Sequence, residues 1–86
     1  MSDPHLGPRA ALGSRCRELM QSEVFKEALG GVNEAYERAI LESAPHDGKR
    51  RDELFMEYHA LKRVVARLRK WEADGELAKR EIEASE

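Results

Sequence analysis

Apolar residues recur at steps of four and three along two stretches of the chain. The first stretch carries Phe25, Leu29, Val32 and Tyr36 and continues through Ala39 and Ile40. The second carries Leu54, Tyr58, Leu61, Val65 and Leu68. That rhythm keeps one face of a helix apolar along its length and makes the seam of a helix that packs on another helix. It predicts helices over 22–43 and 48–73. The seams mirror each other about Pro45: Tyr36 stands opposite Leu54, Val32 opposite Tyr58, Leu29 opposite Leu61, Phe25 opposite Val65, and Leu19 opposite Trp71. Two rods of about 33–39 Å would match in length. The fold class expected is all-α, an antiparallel αα-hairpin of coiled-coil character. No segment alternates with the period of two that a strand needs.

Residue types at the ends of these stretches define the remaining boundaries. Ser22 offers an N-cap hydroxyl, with Glu23 in the first turn. Pro45 pushes Ala44 out of the helical region, and Asp47 is a good N-cap for the second helix. Asp74-Gly75 reads as a C-terminal stop with glycine in the left-handed conformation. Residues 1–14 hold two Pro, two Gly and two Ser, so they read as a flexible N-terminal tail, in which Ala10-Ala11-Leu12 could start a weak helix and Gly13 argues against a long one. Ser14 to Gln21 reads as a short helix, the alternative being one bent helix that runs on through Ser22. Residues 15–74 then form the hairpin domain and 75–86 an acidic C-terminal segment with Leu77 and Ile82 as its apolar points. Gly30-Gly31, beside Ala28 and Ala35, is expected to leave a small-residue surface for close approach by a neighbour, or a kink.

At 86 residues the chain holds one small domain. A domain of this size buries a modest share of its surface, so a partner or a second copy is expected to help stabilise it. No apolar run approaches the length of a membrane span, and Met1-Ser2-Asp3-Pro4 lacks the basic start and apolar stretch of a signal peptide. The expected location is the cytoplasm. The single cysteine excludes an internal disulfide framework and fits a reducing compartment.

Catalytic templates come back empty. Gly30-Gly31 lacks the Lys-Ser/Thr and preceding strand of a phosphate loop, and there is no Gly-x-Ser-x-Gly elbow. The carboxylates sit beside Lys and Arg at solvated helix positions, and a two-helix hairpin offers no apolar pocket to raise the pKa of a general acid. Arg15 and Arg17 would favour a Cys16 thiolate, but no second cysteine exists to resolve an oxidised form, and a half-buried structural thiol is the preferred reading. His5, His46 and His59 fall in the tail, in the turn and beside the second seam, with no two at metal-ligand spacing on one face. No enzyme activity, cofactor or metal is expected.

Charge is segregated. Residues 22–43 carry five acids and two bases, residues 47–70 eight bases and four acids, and residues 71–86 six acids and two bases, within a net charge of −2. Arg50, Arg51, Lys62, Arg63, Arg67 and Lys70 are therefore candidate contacts for a polyanion such as nucleic acid. The competing reading is a solvated face set against the acidic first helix or the acidic end of a neighbouring copy. No aromatic, Asn or Gln interleaves the bases, and the nearby acids repel phosphate. Leu19, Trp71 and Leu77 are the candidate interface residues, Trp71 foremost because large amphipathic rings anchor contacts between chains.

The run Leu19-Met20-Gln21-Ser22-Glu23-Val24-Phe25-Lys26-Glu27-Ala28 leads into Tyr36, Ala39 and Ser43. Asp47, Arg50-Arg51, Leu54, Ala60-Leu61, Val64 and Leu68 follow, and Gly75-Glu76-Leu77-Ala78 closes the pattern. Over about residues 17–80 this resembles a group of small helical proteins of tailed bacteriophages and prophages, carried among packaging and head genes. The resemblance implies a virion-assembly setting in a bacterial host cell or the virion itself, with no functional residues to carry over. The expected function is a non-catalytic interaction protein. It would form a homo-oligomer or dock on a phage structural protein. The alternative is a nucleic-acid-binding accessory factor, a small packaging subunit or regulator, that uses the basic second helix.

Overall fold

The structure, a computed structural model, describes residues 4–86. It is all-helical, with no strand among the described residues: α1 spans Leu6–Gln21, α2 Glu23–Glu42 and α3 Gly48–Ser85. The breaks fall where the local chemistry places them. Ser22 leaves the helical region with ψ of 128°, ending α1, and its hydroxyl accepts a hydrogen bond from the Phe25 amide at 3.3 Å, which caps α2. The Asp47 carboxylate likewise accepts from the Arg50 amide at 3.2 Å to open α3. Between them, Arg51 closes the Pro45 turn. Its Nε donates to Ser43 Oγ at 3.0 Å and its Nη2 to the Ala44 carbonyl at 2.8 Å, while Ser43 Oγ donates to the Ile40 carbonyl at 2.6 Å. A cation at the carboxyl end of α2 also meets the negative end of the helix dipole.

Two boundaries differ from the sequence reading, and both involve glycine. Helix α1 begins at Leu6, inside the segment expected to be a tail. Pro8 is tolerated because it lies in the first turn, where its missing amide has no partner to lose. The expectation for Met1, Ser2 and Asp3 lies outside the described residues. Helix α3 runs through Gly75 to Ser85, so the expected stop at Asp74-Gly75 is absent, and no described glycine has positive φ. Gly75 is there because it lacks a Cβ. A Cβ on Gly75 would stand 2.6 Å from the Gly13 α-carbon and 2.9 Å from the Arg9 carbonyl oxygen, and one on Gly13 would stand 2.7 Å from the Gly75 α-carbon. The two backbones touch at this crossing. Cys16 and the fully buried Ala78, each three residues along, continue the small-residue contact.

The tightest packing in the chain is therefore α1 on the carboxyl-terminal half of α3. Arg17 spans the crossing, with Nε 3.4 Å from Glu72 and Nη2 3.6 Å from Glu76, and Arg9 reaches the Asp74 carbonyl at 3.5 Å. Helix α2 lies along the amino-terminal half of α3 with wider spacing. There Tyr36 and Tyr58 have ring centroids 6.1 Å apart, the Tyr58 hydroxyl donates to Glu37 at 3.0 Å, and Leu29 shares a groove with Leu61 and Val65. The molecule measures 62 × 25 × 14 Å, and its longest dimension is close to the roughly 57 Å of a 38-residue helix. Its radius of gyration is 18.3 Å, against about 12 Å for a compact chain of this length.

Four glycine substitutions separate packing from helix propensity. Gly30→Ala and Gly31→Ala place a Cβ in open space and should each stabilise the protein by up to about 1 kcal/mol. Gly13→Ala and Gly75→Ala drive a Cβ into backbone that has no rotamer to yield, and should destabilise it by about 1–3 kcal/mol. Thermal unfolding followed by circular dichroism at one protein concentration reads the opposite signs. Arg51→Ala should cost about 1–2 kcal/mol through the turn, and Arg51→Lys should recover little, because an ammonium lacks the planar fork that serves two acceptors.

Candidate interaction surface

Little of the chain is inside. Among the described residues the buried apolar side chains are Leu6, Cys16, Leu54 and Ala78. Of the expected hairpin core, Leu54 is buried, whereas Phe25, Leu29, Tyr36, Tyr58, Leu61, Val65 and Leu68 are half-buried. Val32 departs from the expectation at 44% exposed. The inward stripe of α2 passes through Asn33 instead, which is half-buried and lines the groove with Leu29, Leu61 and Val65. The steps Phe25, Leu29, Asn33, Tyr36, Ile40 have the same helical rhythm, and the polarity of Asn33 steered the sequence reading one residue aside. The Asn33 Oδ1 atom is buried with no hydrogen-bond partner.

Val32 consequently stands on the open side of α2 and α3. Together with Ala28, Ala35 and Ala39 it lines a shallow groove of about 620 Å³ whose other wall includes Leu54 and Glu57. Gly31 also lies there, and a Cβ on either Gly30 or Gly31 would meet nothing. The small-residue surface expected at this point exists, but no described residue comes within 4 Å of where a Cβ on Gly30 or Gly31 would stand. Further along α3, Val64 and Trp71 continue the exposed apolar line at 59% and 39% exposure, flanked by Arg63 and Arg67. The candidate interface residues Leu19 and Leu77 are exposed as well, on α1 and near the carboxyl end of α3. Phe55 and Met56 were not singled out in the sequence. Both are exposed, and Phe55 meets His59 edge-on at 4.6 Å.

The six candidate polyanion contacts divide sharply. Arg51 is committed to the Pro45 turn, Arg50 lies 3.8 Å from Glu53, Lys62 sits 4.6 Å above the Tyr58 ring, and Lys70 bonds Asp74 at 3.0 Å. Arg63 and Arg67 alone among the six have no ion-pair, hydrogen-bond or ring partner among the described residues. These two by themselves would neutralise about two phosphates, giving a salt dependence of slope about −2, against the six to ten contacts of a strong binder. Among the described residues no group of three His, Cys, Asp or Glu side chains is placed to hold a metal, and no described helix is long and apolar enough to cross a membrane.

Comparison with protein-family models, with curated proteins and with solved structures gives no match for this chain.

Replacing Asn33 with Leu removes the unsatisfied carbonyl from the seam and should raise stability by about 1–2 kcal/mol. Denaturant unfolding of the Asn33→Leu variant beside the parent measures it.

Proposed function

We propose that this chain is a non-catalytic interaction protein. In this reading it is a rod doubled back at Pro45, with α1 and α2 laid against α3 as an antiparallel hairpin, that associates with copies of itself or docks on a larger assembly. One observation carries the reading. The chain exposes 6743 Å² of surface, whereas a compact monomer of 9.8 kDa exposes about 5,200 Å². The difference, about 1,500 Å², exceeds the roughly 800 Å² that each partner buries in a standard-sized protein–protein contact. Exposed Val32 in the small-residue groove, and Val64 and Trp71 further along α3, are where that burial would gain most. The resemblance to phage packaging and head proteins makes a virion-assembly complex in a bacterial host the natural larger assembly.

The second reading, a nucleic-acid accessory factor, rests on the unpartnered Arg63 and Arg67. It is the weaker one, because four of the six candidate bases are already engaged.

Sedimentation equilibrium at micromolar concentration should give a mass of at least twice 9.8 kDa, or a host-lysate pull-down should recover a stoichiometric protein partner. A lone monomer in both experiments sinks the interaction reading. Electrophoretic mobility of a DNA duplex at about 50 mM salt, where phosphate contacts are strongest, should be unchanged by the protein. A shift there would move the assignment to the second reading.

A further inference from the structure

An exposed face of α3, flanking the groove that α3 shares with α2, has an internal order that the interaction reading does not by itself require. Centred on Ala60, the residues at three, four and seven positions to either side all lie within about a third of the helix circumference, and all are exposed. On the amino-terminal side they are Glu57, Met56 and Glu53. On the carboxyl-terminal side they are Arg63, Val64 and Arg67. Acid is answered by base, and apolar by apolar, at equal distances from one small residue.

From this order we propose that a second copy of the chain docks here, α3 against α3 in antiparallel sense, on a two-fold axis through Ala60. The inference rests on the self-associating reading above and names its face, its orientation and its register. A two-fold contact brings each position level with the one equally far beyond the axis. Glu53 of one copy therefore meets Arg67 of the other, Glu57 comes level with Arg63 across the seam, and Met56 comes level with Val64, each pairing occurring twice. Ala60 meets itself, and its small side chain lets the two helices come close. A parallel arrangement sets Glu53 on Glu53 and Arg67 on Arg67, and like charges facing each other oppose it. The charges are available: among the described residues Arg63, Arg67 and Glu57 have no ion-pair partner, and Glu53 has only Arg50 at 3.8 Å on its own helix. The apolar content is also available, with Met56 72% and Val64 59% exposed. The face is about four helical turns long, so it supports a modest, salt-sensitive dimer rather than an obligate one.

Charge reversal and crosslinking test the face. The double variant Arg63→Glu/Arg67→Glu makes the face wholly acidic, and Glu53→Arg/Glu57→Arg makes it wholly basic. Each alone should associate at least about tenfold more weakly than the parent in sedimentation equilibrium. An equimolar mixture of the two should recover association, and so should the chain carrying all four changes, which only inverts the pattern. All these positions are exposed, and circular dichroism verifies that helix content is unchanged. Ala60→Cys should form a disulfide-linked dimer readily under mild oxidation, whereas Ala73→Cys, exposed on the opposite side of α3, should not; buried Cys16 is common to both chains. A parent that self-associates while Ala73→Cys crosslinks as fast as Ala60→Cys, or while charge reversal changes nothing, overturns this face and leaves the interaction reading standing. A parent that stays monomeric overturns the dimer, and if that monomer shifts a DNA duplex, the free arginines serve phosphate instead.

Discussion

Contact between two bare backbones, at Gly13 and Gly75, governs how this molecule is assembled. Helices that carry ordinary side chains keep their axes about 8–10 Å apart. Where both surfaces offer only hydrogen at the α-carbon, main chains meet, and Cys16 and Ala78 extend the close approach by one turn. That approach brings Arg17 within reach of Glu72 and Glu76 and lets Arg9 bond a main-chain carbonyl. It also explains why α3 continues for 38 residues. Its second half has a helix to lie against, and a chain that ended at Asp74 would lose the glycine at the crossing and the Ala78 contact beyond it.

The other half of α3 is held by a different kind of contact. Its neighbour α2 presents Phe25, Leu29, Asn33 and Tyr36, and larger side chains keep the axes further apart and leave most of the apolar surface only half covered. A polar amide in the middle of such a seam weakens it and favours the one register in which its position is tolerated. The outcome is a rod with one end locked by main-chain contact and the other end held loosely, with an uncovered groove on the loosely held side.

Much of this was legible in the sequence. Ser22, Asp47 and Pro45 act through local chemistry, with hydroxyl and carboxylate caps and a ring that forbids helix before it, and the structure places the breaks there. The four-and-three rhythm located α2 and α3 and most of their inward residues. Reading failed where a residue's role depended on a neighbour distant in sequence. Gly13 and Gly75 looked like breakers because propensity describes an isolated helix, and their value lies in the helix each one touches. Gly30 and Gly31 looked like a surface for close approach, and a Cβ on either would meet no described residue. Arg51 looked like one of several surface bases, and only its distance from Ser43 and Ala44 reveals that it holds the turn. Asn33 and Val32 fit the same rhythm, and composition favoured the wrong one.

The single extended residue at Ser22 has a consequence for how the molecule loosens. It splits the strand opposite α3 into two helices that share few contacts with each other, so neither depends on its neighbour to remain seated. The loosely held α2 can lift away and settle again as a separate cooperative unit while α1 stays locked on α3. The thiol of Cys16 lies inside the locked contact, so its labelling by a thiol reagent reports the opening of α1 and is silent about that of α2.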